Sequence, residues 1–576
     1  MKSSVVAVWL TLIILASSWS IFRPGIFYVH DYLHVSRISE MATALSDGHV
    51  PVRWSQNFGY GFGMPLFEFY GPLPYYLGAL FFLAGLPAIV SFKLLMLIAN
   101  FGTAVGSFKL GKQLYGRAGG LLVAASVTLA PYRAVDLFVR GALSEIWGIM
   151  AIVWISYYLW QVLNGVSKSW VGLIISLSVL FLSHNLLTLL FLPFSLFIGL
   201  IFLGFQLINL KHRQSLNSFA VWQRMITVGF AYLVAVGLSL FYLLPAFAEK
   251  DLTKVQATVT GGYFDYSIHF VYLRQFLADN WGYGGSSWGP TDGISFYLGL
   301  GQLILLVAGL FLIGYQVFWQ YKNTQQLSWQ KLTLLCSFYL LLAVSLLMTT
   351  QKSNFVWQSS SLLQFVQFPW RFLSISCFFI GLVSPVCLYA VNSRFKRWFF
   401  TWLLLLLLLV NARYFRPEAQ LDHPEKYYTT DPYQISQELS SVLPDYLPKT
   451  FPDQPPVMVE LASCDQGCER IETILNKTQE KTWSVWSSVA TTLTVHLSYY
   501  PGWQVRVNGL SVPIQDNKGL VSAQIPAGHS SITISFLKTP IRAWSDRISL
   551  ASLIVFGLAV VVQSFVSKRN YFHVSR

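Results

Sequence analysis

The sequence predicts an α-helical polytopic membrane protein with about twelve transmembrane helices and a small extracytoplasmic β-sandwich near the C-terminus. Three observations predict it. Of 576 residues, 54% are hydrophobic and only 11% charged, with a mean hydropathy of +0.52; a soluble chain carries about 25% charged residues. Apolar runs such as Thr401–Val410 (TWLLLLLLLV) are continuous rather than alternating, and about 20 such residues cross a bilayer as a helix. The stretch from Trp483 to Leu537, in contrast, reads as short strands separated by turn residues.

Taken in order, Val5–Phe22 follows Lys2 and reads as an uncleaved first span; a signal peptide with a weak cleavage region at Ala16-Ser17-Ser18 is the alternative. A large outer loop, 23–90, comes next. Within it Pro74–Ile89 is short for a span and bounded by prolines. Counting it would invert every later loop, so it reads as interfacial or re-entrant. The further spans are roughly 91–108, 118–131, 144–163, 169–183, 185–205, 225–246, 295–316, 331–348, 370–391, 398–411 and 546–566. With the first helix these make twelve, with both ends cytoplasmic.

Charge placement supports this count. Lys109, Lys112 and Arg117 cluster between apolar segments, as do Lys211, Arg213 and Arg224, then Lys322 and Lys331, then Arg394, Lys396 and Arg397, and finally Lys568 and Arg569. Basic residues in short loops mark the cytoplasmic side. None of the 25 Asp and Glu residues falls in a loop placed there, a result that the rule for Lys and Arg does not force. The net charge of +14 therefore reports topology, and nucleic acid is not an expected partner.

Three units follow: a transmembrane module 1–411, an extracytoplasmic region 412–545, and a last helix with its tail, 546–576. The first half of 412–545 has many prolines and acids and little periodicity. Its second half predicts strands at Trp483–Tyr499, Trp503–Val507, Val521–Ile525 and Ser531–Leu537. Asn508-Gly509 is a hairpin signal and Pro526-Ala527-Gly528 a turn. The outer loop 247–294, rich in Gly, Tyr and Trp, fits an aromatic interface loop and a sugar-binding lid equally. Cys464 and Cys468 fit a disulfide or two free thiols better than half a metal site, since no second Cys or His pair follows at metal-ligand spacing.

The stretch His30–Tyr76 holds Asp31, Glu40, Asp47, Glu68, three histidines and two arginines among many aromatics and glycines. A plain connector does not need such a density of titratable groups. Asp31 follows the first span, flanked by His30 and His34; in a helix Asp31 would share a face with His34, and His34 with Arg37. Arg133, Asp136, Arg140 and Glu145 form a second group. Glu145 either complements a helix N-terminus, pairs with Arg140, or serves as a second carboxylate facing Asp31. His184-Asn185 interrupts two apolar runs at the same face, as a turn or as ligands. Arg371 opens another span there, with no acidic residue from Gln351 to Asn411. It is either a snorkelling anchor or a phosphate ligand. No Walker motif or GxGxxG in strand-to-helix context appears, so any reactant must arrive already activated.

An acid right after the first helix, a large first outer loop, PLPYY and then a span ending in GKQLYGR together resemble the GT-C superfamily of membrane glycosyltransferases. The segments HDYLHVSRISEM, PVRWSQNFGYGFGMPLFEFYGPLPYY, RGALSE, LSHN and FPWRF resemble the bacterial membrane family labelled 6-pyruvoyl-tetrahydropterin synthase-related. The tail YYPGWQVRVNGLSVPIQDNKGLVSAQIPAGHSSITISF is similar to the end of YfhO-type membrane proteins. The likeness spans nearly the whole chain.

It implies a multi-pass enzyme of the plasma membrane, with its site on the extracytoplasmic side. The donor would be a polyprenyl-phosphate-linked sugar, and the acceptor a glycan, lipid or protein. Asp31 takes the role of the family's first-loop carboxylate, and Glu145 matches the second acidic position loosely. A divalent cation (Mg or Mn) stays open as a cofactor, with Asp31 and Glu145 as its ligands, although His30 stands where some relatives carry a second acid. The expected reaction inverts the anomeric centre, with Asp31 as base and cations such as Arg371, Arg37 or His184 stabilising the leaving phosphate. His30, His34, Arg140 and Asn185 complete the expected substrate-binding set. The alternatives are a transporter or flippase of lipid-linked glycans, which calls for charged or broken helices near mid-membrane, and a non-catalytic glycan-binding relative.

Overall fold

The computed structural model describes residues 1–212, 218–320, 329–389, 395–441, 444–453, 455 and 460–574. Ten helices within them are long and apolar enough to cross a membrane. One of these, Ala88–Thr128, breaks at Gly116, whose φ of 77° and ψ of −178° lie outside the helical region. Its halves fold back on each other. A Cβ at Gly120 would lie 2.7 Å from the Phe108 carbonyl oxygen, an approach that only glycine permits. Counting both halves and the shorter Ser169–Ser183, the helices make twelve crossings, as the sequence predicts. The segment Leu73–Leu83 has 11 residues and is too short to cross.

Glu145, Asp136, Glu249 and the loop acids gather at one set of helix ends. Lys109, Lys112, Arg117, Arg224, Lys331, Lys396 and Arg397 lie toward the opposite set. Arg213, Lys322 and Arg394 fall outside the described residues, as do the side chains of Lys211, Lys568 and Arg569. Nearly all residues of the apolar stretch of Pro369–Tyr389 are buried, so it forms the centre of the bundle, whereas nearly none of that of Pro540–Phe565 are, so it runs along the outside.

The extramembrane part is built on strands. A two-stranded ladder, β1 (Ile26–Phe27) with β2 (Gln420–Leu421), ties the first loop to the chain after the eleventh crossing. The sandwich comprises β3 (Ala462–Cys464), β4 (Cys468–Asn476), β5 (Glu480–Ser487), β6 (Thr491–Ser498), β7 (Trp503–Val507), β8 (Leu510–Val512), β9 (Gln515–Asn517), β10 (Leu520–Ile525) and β11 (Gly528–Phe536). They form two antiparallel sheets, ordered β3-β6-β10-β9 and β4-β5-β11-β7-β8. The predicted strand Trp483–Tyr499 is two strands, β5 and β6, which lie in different sheets; the chain turns at Ser488–Ala490. Alternate residues of β5 and β7 are buried, as a two-sheet core requires. Asn508 (φ 50°) and Gly509 (φ 83°) make the expected hairpin turn between β7 and β8. Cys464 and Cys468 are disulfide-bonded.

The sandwich is not separate from the loop of residues 23–87. Trp54 and Phe69 of that loop lie in the same apolar core as Trp483, Val505 and Ile532. Trp54 is 0% exposed, and its ring meets Trp503 at 5.2 Å, edge to face. Below this core, Arg542 of the last helix is fully buried between Glu68 (Nε–Oε2 3.0 Å) and Glu249 (Nη2–Oε2 2.6 Å), and its Nη1 donates to the Pro501 carbonyl. Breaking such a buried pair by removing one partner costs about 3–5 kcal/mol, so these contacts fix how the sandwich sits on the helices.

Candidate active site

Asp31 is placed by main-chain hydrogen bonds. The His30 N–H donates to the Val139 carbonyl (3.0 Å) and the Asp31 N–H to the Arg140 carbonyl (2.8 Å). Val135–Arg140 is a wide helical turn closed by Gly141, whose φ is 65°. A Cβ at Gly141 would lie 2.5 Å from Val29, so glycine lets the two segments meet. The helix of the first loop begins at His34, and Asp31 stands in the turn before it.

A cavity of about 550 Å³ opens beside Asp31. Its polar wall includes His30, Asp31, Arg37, Arg140, His184 and Arg371. Its apolar wall includes Leu186 and Leu189 from one crossing and Leu243 and Phe247 from another. Phe247, at the end of its helix, is also 66% exposed, so the cavity opens at the protein surface there. The loop after that crossing adds Tyr263, Phe264 and Ser286, and the Tyr283 carbonyl bonds His30 Nε2 at 2.8 Å. The aromatic loop thus walls the site.

The cations are set by buried partners. Arg140 lies 2.6 Å from Asp136 and 2.7 Å from Glu145. Glu145 is 1% exposed and accepts from Ser374 (2.6 Å) and Tyr132 (3.1 Å). Its Oε2 is also 3.8 Å from Arg371 and 3.9 Å from His184. Glu145 does not line the cavity; it sits behind three groups that do. Arg371 therefore has an acidic neighbour that the local sequence does not show, and its Nη1 also donates to the Val366 carbonyl at 2.7 Å. Arg37 stacks over Tyr70, 4.1 Å from the ring centroid, and donates to the Tyr75 hydroxyl at 3.3 Å.

His34 also lies outside the cavity. Fully buried, its Nδ1 bonds Tyr75 at 2.7 Å; burial, then Arg37, hold it well below the usual imidazole range. Burial pushes His184 down to about 3, and its Nδ1 accepts the Leu187 N–H at 2.8 Å. The neutral ring therefore carries its proton on Nε2, toward Glu145. Asn185 lines the cavity at the start of its helix, its Oδ1 accepting from the Leu186 N–H.

No family model matches the chain. It is similar to an uncharacterized protein of Lactococcus lactis subsp. cremoris (strain MG1363), at 26% identity over 312 residues, which are 53% of this chain and 47% of that protein. The chain thus spans about half the length of that curated relative. Among solved structures, it is similar to the arabinofuranosyltransferase AftD from Mycobacteria, with a TM-score of 0.44 and 13% identity over 74% of this chain and 28% of that one. It is also similar to the Archaeoglobus fulgidus oligosaccharyltransferase tethered to an acceptor peptide, with a TM-score of 0.42 and 12% identity over 76% of this chain and 58% of that one.

The cavity holds a second carboxylate that sequence reading does not find. Asp445, 7% exposed, lines it from the region before the sandwich. Burial pushes its carboxyl up to about 6, against the opposing charge of Arg37. The acid stands in a proline-rich stretch with no periodic signal, and only the fold brings it to Asp31. A divalent cation does not fit between Asp31 and Glu145. Asp31 faces Arg37 and Arg140, Glu145 is occupied by Arg140, and among the described residues no group of three His, Cys, Asp or Glu side chains converges.

Proposed function

We propose that the protein is a membrane glycosyltransferase of the GT-C type, taking its sugar from a polyprenyl-phosphate-linked donor at the extracytoplasmic face. The cavity supports this reading: the carboxylate of Asp31 stands among the guanidinium groups of Arg37, Arg140 and Arg371, beside an apolar wall that opens at the protein surface. Such a wall suits a polyprenyl chain, and planar guanidinium groups suit its phosphate.

In the reaction, Asp31 takes the proton of an acceptor hydroxyl as that oxygen attacks the anomeric carbon. The bond from that carbon to the phosphate oxygen breaks, and the phosphate leaves with the electron pair. Preorganised cations stabilise the charge as it develops. Attack opposite the leaving group inverts the anomeric centre. Glu145 and Asp136 position Arg140; His34 and Tyr75 position Arg37.

Arg371→Lys and Arg371→Ala test the phosphate role. Lysine loses the bidentate fork, so sugar transfer from the lipid donor should fall for both variants at equal protein level, with the larger loss for alanine. Unchanged transfer by Arg371→Ala would remove the residue from the site.

A further inference from the structure

A second cavity, of about 450 Å³, lies where the first loop, the segment 432–437 and the sandwich meet. It shares no lining residue with the first, and its size suits a small-molecule site. Four amides line it, those of Gln56, Asn57, Gln437 and Asn476. Asn57 is held in place. Its Nδ2 donates to buried Glu40 at 2.6 Å, and the Ser55 hydroxyl donates to the same carboxylate at 2.6 Å. The Asn57 side-chain Oδ1 is left for a donor, while its main-chain carbonyl accepts from the Gly61 N–H.

Two buried polar atoms of the lining have no hydrogen-bond partner among the described residues: Trp483 Nε1, on a side chain 1% exposed, and Gln56 Oε1. Such atoms carry a desolvation cost of about 1–3 kcal/mol each until a partner arrives. Rings complete the wall. Tyr433 stands at the rim, 68% exposed, and His496 lies deeper. The lining has no carboxylate and a single ammonium, Lys481, which donates to Asn476 Oδ1. Burial lowers Lys481 only to about 8, so it is still an ammonium at neutral pH, and the nearby carboxylates of Asp47 and Glu40 oppose its charge. Amides offer both donors and acceptors to a polyol, and amphipathic rings cover its apolar faces.

We propose that this cavity binds an uncharged oligosaccharide. Its role rests on the glycosyltransferase reading: it holds an acceptor glycan away from the reacting end. Its test does not depend on transfer. Full-length protein in lipid nanodiscs is applied to an array of neutral and anionic oligosaccharides, beside Tyr433→Ala, Gln437→Ala and Asp31→Asn. Neither the Tyr433 nor the Gln437 side chain makes a hydrogen bond among the described residues, so both variants should fold. Wild type and Asp31→Asn should bind the same neutral glycans, with at least tenfold weaker binding by the two rim variants. The proposal is overturned if the wild type binds no neutral glycan, binds anionic ones alone, or binds no better than both rim variants. Binding retained by a transfer-dead Asp31→Asn chain keeps this site distinct from the catalytic reading.

Discussion

Replacing Asp31 with asparagine separates chemistry from folding. Its carboxylate makes no hydrogen bond or ion pair among the described residues. Its main chain does the holding, through the 2.8 Å bond to the Arg140 carbonyl and the 3.0 Å bond from His30 to Val139. Asparagine keeps both. Arg140 still has Asp136 at 2.6 Å and Glu145 at 2.7 Å, so losing one negative charge strands no buried cation. The stability change should stay within about 0.5 kcal/mol. Loss of a general base, in contrast, lowers the rate by roughly 10²–10⁴, which is about 2.7–5.4 kcal/mol of barrier at about 1.36 per decade. The assay incubates membranes holding equal amounts of wild type and variant with a lipid extract from cells fed a radiolabelled sugar. Label moved from lipid into glycan is counted, and thermal midpoints are measured in parallel. Transfer within about twofold of wild type would refute Asp31 as base. A collapsed midpoint would refute the view that its carboxylate carries no structural load.

Burial raises Asp445 to about 6, so the folded chain keeps this proton between about pH 4 and about pH 6, where the unfolded chain has lost it. Stability then falls as pH rises through that window, by on the order of 3 kcal/mol. Asp445→Asn should flatten that slope in thermal midpoints taken across the window; parallel slopes would refute it. Gly116→Ala places a side chain at a φ of 77°. It should cost roughly 1–3 kcal/mol, seen as a lower midpoint in detergent, and an unchanged midpoint would show that the turn tolerates it. For sidedness, cysteines introduced at Lys168 and Lys477, both exposed, should differ: a membrane-impermeant reagent applied to intact cells reaches the second alone, and labelling of both breaks the twelve-crossing topology.

The crossings were legible because each apolar run is long enough to span lipid by itself, and because acids and bases segregate along the chain. The break at Gly116 was legible too, through the basic cluster Lys109, Lys112 and Arg117 around it. What failed was what depends on distance. Glu145 and Arg371 are 226 residues apart in the chain, so an arginine without an acid in its own segment looked unpaired. Asp445 sits in a stretch whose pattern matches neither a helix nor a strand. The edge strand β4 (CERIETILN) carries three charges, and most of its residues stay at least partly exposed, so it lacks the alternation that marked β7. The cut at Ser488–Ala490 was hidden because the residues on either side are equally apolar and strand-like.

The shared core of the first loop and the sandwich also sets an order of events at the ribosome. Asp47 of the loop waits for Thr478, which is 431 residues later. At roughly 5–20 residues per second, that interval is on the order of half a minute to a minute and a half. For nearly all of it Trp54 and Phe69 have no apolar partner from the sandwich. The nascent protein therefore cannot bury this loop until the strands of the sandwich have been made. It enters the membrane as an unfinished vessel, its first loop left uncovered for most of its synthesis.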